Sequence, residues 1–331
     1  MPPSVRKKRG RLSPVLPAIS LAAALRLSFA LARFPGGSFW IEPKPQNSSL
    51  FAAASAARGG LQGSDEALRL AANIEERFGV GILCSFHTLL PISAYTAEAC
   101  SPEECAAALY ELERTLALYP EGFFSRIGEL TGGVVIELCG AIRSKEAPSA
   151  SASAAAEAGP CAVTVDCISF RLIALDVGSG STGSLLMHEL CHVIDACLDR
   201  AAADDPSMWN DEAWSRLDPP GFAYYMAYTD ASGTPLSESA DPEFAAEAPF
   251  LPENVYFVNR YSKTFPTEDR AVAFETLMRV SASAECMQSP HIRAKLSYYF
   301  NAIRYYFDHD GLWEGNTFWE EKLLQCGSAG E

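Results

Sequence analysis

Hydrophobic and polar residues follow two different spacings along the chain, and each spacing predicts one kind of element. Apolar residues recur at helical spacing from 65 to 78, and a second helix is predicted from Ser101, its N-cap, to about Tyr119. Short runs rich in β-branched residues predict strands at 80–86, 133–138 and 162–175. The first half of the folded region is therefore predicted to mix helices with strands.

The second half of the chain is predicted to be mainly helical. A long apolar helix begins after Ser181 or Thr182, and later helices are predicted at 266–280 and 290–307. The two halves together predict an α+β fold. In this fold a small, mixed, twisted sheet packs on the helix that follows Thr182, and a mainly helical half completes the structure.

Shifts in composition divide the chain into segments of different character. Basic and then apolar residues come first, a stretch rich in Gly, Ser, Pro and Ala follows, and an internal stretch is almost entirely Ala, Ser, Glu and Pro. The predicted organisation is a signal peptide or anchor at 1–35, a flexible spacer at 36–63, and one domain at 64–326, made of an α/β part at 64–200 and a helical part at 201–326, with a low-complexity insertion at 144–159.

The first 35 residues have the layout of an export signal. Five basic residues without an acid precede an apolar run from Pro14 to Ala32, which ends in a small-x-small pattern that a signal peptidase can cut. Arg26 inside the run also fits an uncleaved anchor, or a basic tail at a misassigned start. No other stretch reaches the roughly 18–20 apolar residues of a spanning helix, so we expect an extracytoplasmic location with membrane contact through this segment alone.

The charge and the cysteine content of the chain argue against two classes of function. The chain of 331 residues has 26 Lys and Arg against 41 Asp and Glu, and this net charge of −15 argues against nucleic-acid binding, which needs basic surfaces. Ten cysteines without a CxxC motif argue against a cysteine zinc ribbon. In an exported protein some would form disulfides, and the pairs to test are Cys100 with Cys105 and Cys161 with Cys167.

The segment His188-Glu189-Leu190-Cys191-His192 is an HExxH motif within the long apolar helix. Histidines at i and i+4 stand on one face of a helix, so both rings can reach one zinc ion, with Glu189 beside it near the metal-bound water. The flanking residues are apolar, and a bound metal would make these polar groups tolerable in a buried helix. The alternative is a pair of core histidines bonded to carbonyls, with Glu189 solvated.

A catalytic zinc site needs a third protein ligand and an open fourth position. No glycine turn with a further histidine follows His192, so the third ligand must come from another segment. The best candidate is the predicted helix that begins near Pro266, where Glu268 falls in the first turn. Asp269 and Glu275 are the competing ligands on the same helix.

These motifs together resemble the HExxH-plus-glutamate zinc metallopeptidases, the gluzincins, and within them the branch that includes the catalytic domain of anthrax lethal factor and many bacterial zinc-binding peptidases. The resemblance extends over about residues 65–308 and rests on the HExxH motif and on YSKTFPTEDRA, which begins at Tyr261. It implies a zincin-like fold, one zinc ion per chain and hydrolysis of peptide or protein substrates. It also implies that Glu268 is the third ligand and that Tyr261, seven positions earlier, donates to the developing oxyanion.

Two positions depart from the pattern of that family. Phe265 stands where an Asn often precedes the proline, and Val272 stands where a second acid often supports the ligand histidines. Asp195, one turn after His192, is expected to orient an imidazole, and Glu275 is the other acid that can take this part.

The sequence therefore predicts an exported zinc-dependent metallopeptidase with Glu189 as general base, in which the last strand before the motif offers its edge to an extended substrate. Two alternatives stay open. One is a noncatalytic module that keeps zinc for stability, and the other is a secreted, disulfide-bonded binding protein with a degenerate site. Glu189 favours the peptidase over these noncatalytic alternatives, because a structural zinc site does not require a glutamate at this position.

Overall fold

The computed structural model describes residues 65–84, 95–144, 162–166, 170–236, 242–243, 250–281, 284–308 and 311–328. All of these residues belong to one compact unit, Trp40–Glu331. Their architecture is α+β, with a small mixed sheet and a large share of helix, which confirms the predicted class at this coarse level.

The helices are α1 (Asp65–Phe78), α2 (Pro102–Leu116), α3 (Phe123–Thr131), α4 (Thr182–Ala202), α5 (Asp211–Ser215), α6 (Pro266–Arg279), α7 (Pro290–Phe307) and α8 (Phe318–Ser328). The strands are β1 (Gly81–Cys84), β2 (Tyr95–Glu98), β3 (Val134–Cys139), β4 (Ala141–Ser144), β5 (Ala162–Asp166) and β6 (Arg171–Asp176). Short 3₁₀ turns are found at Pro252–Asn254, Tyr261–Lys263 and Glu285–Gln288.

The larger sheet has four strands in the order β1-β3-β6-β5. Strands β1, β3 and β6 run parallel, with Val135 opposite Leu172 near the centre, whereas β5 runs antiparallel to β6 and forms an edge. All six residues of β3 are buried, as expected of a central parallel strand that is covered on both faces. Strands β2 and β4 form a separate antiparallel ribbon.

The apolar run predicted as one strand over 162–175 is a hairpin. Strand β5 ends at Asp166 and β6 begins at Arg171, so the run contains two antiparallel strands. Hydrophobic alternation alone carries no signal for a reversal inside an apolar run. The edge predicted for this run is formed by its first half, β5, whereas its second half, β6, lies between β5 and β3.

Helix α4 lies at the centre of the fold and contacts β5, β6, α2, α3, α6 and α7. Its N-cap is Ser181, whose side chain accepts from the amide of Ser184, and Glu111 of α2 accepts from the amide of Gly183 at 3.0 Å. A Cβ atom on Gly183 would lie 2.5 Å from Oγ1 of Thr115. Glycine at this position therefore permits the close approach of α2 to the start of α4.

Helix α6 is held at its C-terminal end by α8. The Nζ atom of Lys322 on α8 donates to the carbonyls of Leu277, Met278 and Val280 at 3.0, 2.7 and 2.9 Å. A cation here binds carbonyls that have no partner within the helix and is favoured by the helix dipole. The hydrophobic pattern had not predicted α8, yet this helix fixes the far end of the helix that begins near Glu268.

The cysteines of the described residues are buried free thiols, namely Cys84, Cys100, Cys105, Cys139, Cys191, Cys197, Cys286 and Cys326. Cys100 and Cys105 lie within hydrogen-bonding reach of each other on either side of the capping box of α2, but no bond joins them. The disulfide predicted between them is therefore absent from the structure. The other predicted pair, Cys161 with Cys167, lies outside the described residues.

Several predicted segments also lie outside the described residues, namely 1–35, 36–63 and, apart from its first residue, the insertion at 144–159. Across the ranges that the structure describes, none of the helices is both long enough and apolar enough to cross a bilayer.

Candidate metal centre

Two neighbouring helices supply the polar side chains of the site. Helix α4 carries His188 and Glu189, which are buried, and His192 one turn later, which is partly exposed. Helix α6 packs against α4 and carries Glu268 in its first turn. It starts at Pro266 because proline, which lacks an amide hydrogen, fits the first turn of a helix.

His188, His192 and Glu268 each bring one ligand atom to a common point. Oε2 of Glu268 lies 3.1 Å from Nε2 of His188 and 3.6 Å from Nε2 of His192, and the three ligand atoms lie within 4.8 Å of one another. Ligands bound tetrahedrally at the usual zinc distances lie about 3.3 Å apart, so the two separations from Glu268 are close to those expected around a single ion. The group can therefore hold a metal ion, and it contains the three residues that the sequence predicted as ligands.

Charge interactions connect the three side chains. Burial alone would lower the pKa of His188, but Glu268 at one ring nitrogen and Glu275 at the other raise it well above the ordinary value. Burial lowers the pKa of His192 to about 4, although Glu268 opposes this shift. Burial would raise the pKa of Glu268, yet the two histidines keep it below the usual range. Such mutually dependent shifts in a buried cluster are typical of functional groups.

Glu275 supports His188 on the side opposite Glu268. Its Oε2 atom lies 3.3 Å from Nδ1 of His188. A histidine that binds metal through Nε2 carries its proton on Nδ1, so Nδ1 can donate to this carboxylate. Glu275 is itself fixed, because Ser184 and Arg279 both donate to its Oε1 atom. It therefore supports a ligand instead of competing to be one.

Asp195 does not take the part that the sequence predicted. Its two oxygens accept from Nε of Arg270 at 2.8 Å and from the hydroxyl of Tyr299 at 2.9 Å. The guanidinium of Arg270 also lies 4.9 Å above the ring of Trp209. Asp195 thus neutralises a buried arginine, and the predicted orientation of an imidazole falls to Glu275. Helical spacing alone allowed either Asp195 or Glu275 to orient a histidine, because it does not show which side chains of a neighbouring helix each acid meets.

Asp269 is engaged elsewhere, although it is adjacent to Glu268 in sequence. It accepts from Nζ of Lys295 at 2.8 Å and from the hydroxyl of Tyr224 at 2.9 Å. One residue corresponds to about 100° of helical rotation, so the side chains of Glu268 and Asp269 leave α6 in different directions. Of the three acids considered as the third ligand, Glu268 is the one that joins the histidines.

Two tyrosines reach Glu268. Tyr261 is buried and its side chain hydrogen-bonds to this carboxylate, while the hydroxyl of Tyr228 donates to Oε1 of Glu268 at 3.4 Å. The two rings stack with centroids 6.1 Å apart. Tyr261 was a predicted site residue, but no spacing singled out Tyr228. Its loop is placed by backbone bonds such as that from the amide of Met226 to the carbonyl of Thr264, which the sequence does not reveal.

Glu189 is bound by a residue outside both helices. The Oγ1 atom of Thr164, on the edge strand β5, lies 2.5 Å from Oε2 of Glu189 and 3.3 Å from its backbone carbonyl oxygen. The sequence did not identify Thr164 as a site residue. A strand pattern shows that alternate residues share a face, but not which helical residue each of them meets.

Comparison of the chain with protein-family models, curated proteins and solved structures found no match in any of the three. The chemistry of the site is therefore argued from the chain itself. Two imidazoles and one carboxylate form a group that can hold a metal ion, and a second carboxylate, held by a hydroxyl, lies next to the first histidine.

Proposed function

We propose that this chain is a zinc-dependent metallopeptidase of the gluzincin type with a zincin-like fold. The observation that carries the proposal is the group formed by His188, His192 and Glu268, with the buried Glu189 next to His188 in the sequence of the same helix. Two histidines and one glutamate are the protein ligands in a known class of catalytic zinc sites, in which a glutamate beside the first histidine is the general base.

The number of donors favours a catalytic zinc ion over a structural one. Structural zinc sites use four protein ligands, whereas catalytic sites keep one position open for water or substrate. Within the described ranges, the metal-binding group has three members. The two other acids of α6 that were candidate ligands have different partners, since Glu275 contacts Nδ1 of His188 and Asp269 pairs with Lys295.

The proposed mechanism assigns a task to each side chain. A zinc ion held by the three ligands would polarise a peptide carbonyl and make a water molecule a stronger acid. Glu189 takes a proton from this water and delivers it to the leaving amine. Tyr261 lies within reach of a ligand oxygen and donates to the oxyanion, a contribution of about 3 kcal/mol in well-studied acyl-transfer sites. Glu275 holds the ring of His188 through Nδ1, which would leave Nε2 to bind the ion.

The proposed substrate is an extended peptide segment. Strand β5 forms an edge of the described sheet, and an edge strand offers backbone N–H and C=O groups to which an extended chain can bind. Strand β5 lies next to the proposed general base, because its Thr164 contacts Glu189. The basic and then apolar residues at 1–35 support an extracytoplasmic location for this activity.

The metal is tested by elemental mass spectrometry of the purified protein. We expect about one zinc ion per chain in the wild type and a sharp reduction in Glu268→Ala, because this variant lacks one of the three protein ligands. Glu314→Ala, which changes an exposed glutamate in the same way, is the matched control and should keep its zinc.

Catalysis is tested with a peptide library. Glu189→Gln should retain zinc but lose hydrolysis, since an amide cannot accept the proton from water. Undiminished cleavage by this variant would refute the proposed base. Failure of the wild type to bind zinc, even after equilibration with it, would instead favour the noncatalytic binding protein.

A further inference from the structure

We propose that Thr164 is a positioning residue that holds Glu189 in the orientation that a general base needs. The inference rests on the proposed peptidase function and deepens it, because it assigns a task at the same site to a residue of the sheet.

The contact is short and directed at the carboxylate. Oγ1 of Thr164 lies 2.5 Å from Oε2 of Glu189 but 3.3 Å from the carbonyl oxygen of the same residue. A hydroxyl has one proton to donate, so the shorter contact marks the carboxylate as its main acceptor. Separations of about 2.5–2.7 Å are typical of hydroxyls bonded to an ionised acceptor, which are among the stronger hydrogen bonds in proteins.

The donor is more rigid than its acceptor. Threonine is β-branched and has few rotamers, and Thr164 is also held in the hairpin opposite Ile173. A glutamate side chain has three rotatable bonds, and their free rotation would move the carboxylate out of reach of the water. The hydrogen bond from Thr164 restricts this rotation. The orientation of the Glu189 carboxylate is therefore fixed by a residue of the sheet and not by a residue of its own helix.

A hydroxyl that merely satisfies a buried carboxylate would make the same contact, so the test must separate positioning from folding. Thr164→Val keeps the shape of the side chain and removes the donor. Thr164→Ser keeps the donor and removes only a methyl group. The full-length wild type and both variants are loaded with zinc and assayed on the same cleaved peptide.

We expect Thr164→Val to lower kcat by about 10- to 100-fold, in line with the cost of a small misplacement of a catalytic group, while KM and zinc content stay close to those of the wild type. Thr164→Ser should recover most of kcat. The proposal is overturned if Thr164→Val keeps the wild-type kcat, if both variants lose activity equally, or if the loss is in zinc content or KM alone.

A crystal structure of zinc-loaded Thr164→Val provides a readout that does not depend on activity. A carboxylate of Glu189 that has turned, or that occupies several orientations, supports the proposal, whereas a single unchanged orientation overturns it. If the wild type binds zinc but cleaves no peptide, the peptidase proposal fails, and this structure still decides whether Thr164 positions Glu189.

Discussion

Glu275 on α6 and Asp195 on the HExxH helix itself are both acids of low exposure, but of these two only Glu275 contacts a histidine. Its carboxylate lies 3.3 Å from Nδ1 of His188, whereas Asp195 is 2.8 Å from Nε of the buried Arg270. A carboxylate behind a ligand histidine fixes the ring and raises its basicity. An acid that pairs with a buried arginine instead removes the cost of burying that charge. The two residues should therefore differ in what their replacement changes.

We predict that neutral replacements of Glu275 and Asp195 affect different quantities, namely zinc affinity and the free energy of unfolding. Glu275→Gln should weaken zinc binding by about 10- to 100-fold with little change in the free energy of unfolding. Asp195→Asn should leave zinc binding nearly unchanged but reduce the free energy of unfolding by about 3 kcal/mol, because the buried Arg270 would keep only the exposed Asp211, 3.6 Å away, as an opposite charge. Competition with a chelator measures the first quantity and urea unfolding the second. Equal losses of zinc affinity in both variants would contradict this assignment.

At this scale, the sequence predicted the residues whose relation is local. His188 and His192 are one helical turn apart, and the first turn of a helix after a proline was a suitable place for Glu268. The contact of Thr164 with Glu189 spans 25 residues and that of Asp195 with Arg270 spans 75. Such contacts depend on how the sheet and helices pack, and helical or strand spacing contains no information about that.

At the scale of elements, the HExxH helix is positioned by its first turn. Glu111 of α2 accepts from the amide of Gly183, and the same glycine leaves space for Oγ1 of Thr115. A carboxylate at a helix N-terminus is favoured by the exposed amides and by the helix dipole. Helix α2 therefore helps to fix the first turn of α4, and with it the position of His188, five residues after Gly183.

Gly183→Ala tests this contact. The new Cβ would lie 2.5 Å from Oγ1 of Thr115, so the side chain of Thr115 or the two helices must shift, and we expect the free energy of unfolding to fall by about 1–3 kcal/mol. Gly180→Ala is the matched control, since a Cβ there meets no atom within 4 Å. Thermal unfolding followed by circular dichroism measures the difference.

The double variant Gly183→Ala/Thr115→Ala identifies the cause. It removes the oxygen that the new methyl group would meet, so it should be more stable than the sum of the two single changes implies. Simple additivity of the two effects would show that crowding between α2 and α4 is not responsible.

The predicted elements agree with the structure where one face of a helix is clearly apolar. Helices were predicted at 266–280 and 290–307, and the structure has them at Pro266–Arg279 and Pro290–Phe307. Helix α8 was missed because its apolar residues do not mark a single buried face, as Trp319 is buried while Leu324 is 59% exposed.

At the scale of the whole molecule, buried charges at the start of α6 connect the helices around the site. Glu268 faces the histidines of α4, Asp269 pairs with Lys295 of α7, and Arg270 pairs with Asp195 of α4. Charges in the interior are tolerated only when they are paired. A metal ion would add one more connection between α4 and α6, so its effect should extend to the stability of the entire fold.

We therefore predict that a chelator lowers the unfolding temperature of the zinc-loaded wild type by several degrees. A ligand present at about 100 times its Kd contributes about 2.7 kcal/mol to the native state, and metal removal withdraws that contribution. Glu268→Ala, which lacks a ligand, should unfold at the same temperature with and without chelator. Scanning calorimetry measures the unfolding temperatures of both proteins. An unfolding temperature of the zinc-loaded wild type that does not change when chelator is added would contradict the prediction.

The buried thiols can be used to follow local unfolding of the protein. Burial raises the pKa of Cys197 on α4 to about 12 and that of Cys286, in the 3₁₀ turn before α7, to about 11. Alkylating reagents attack the thiolate, so at neutral pH each sulfur is protected both by the surrounding atoms and by its proton. Labelling then proceeds only as fast as the structure around each cysteine exposes it. Peptide mapping of the labelled chain would show whether the centre of the fold and its helical half open together or one after the other.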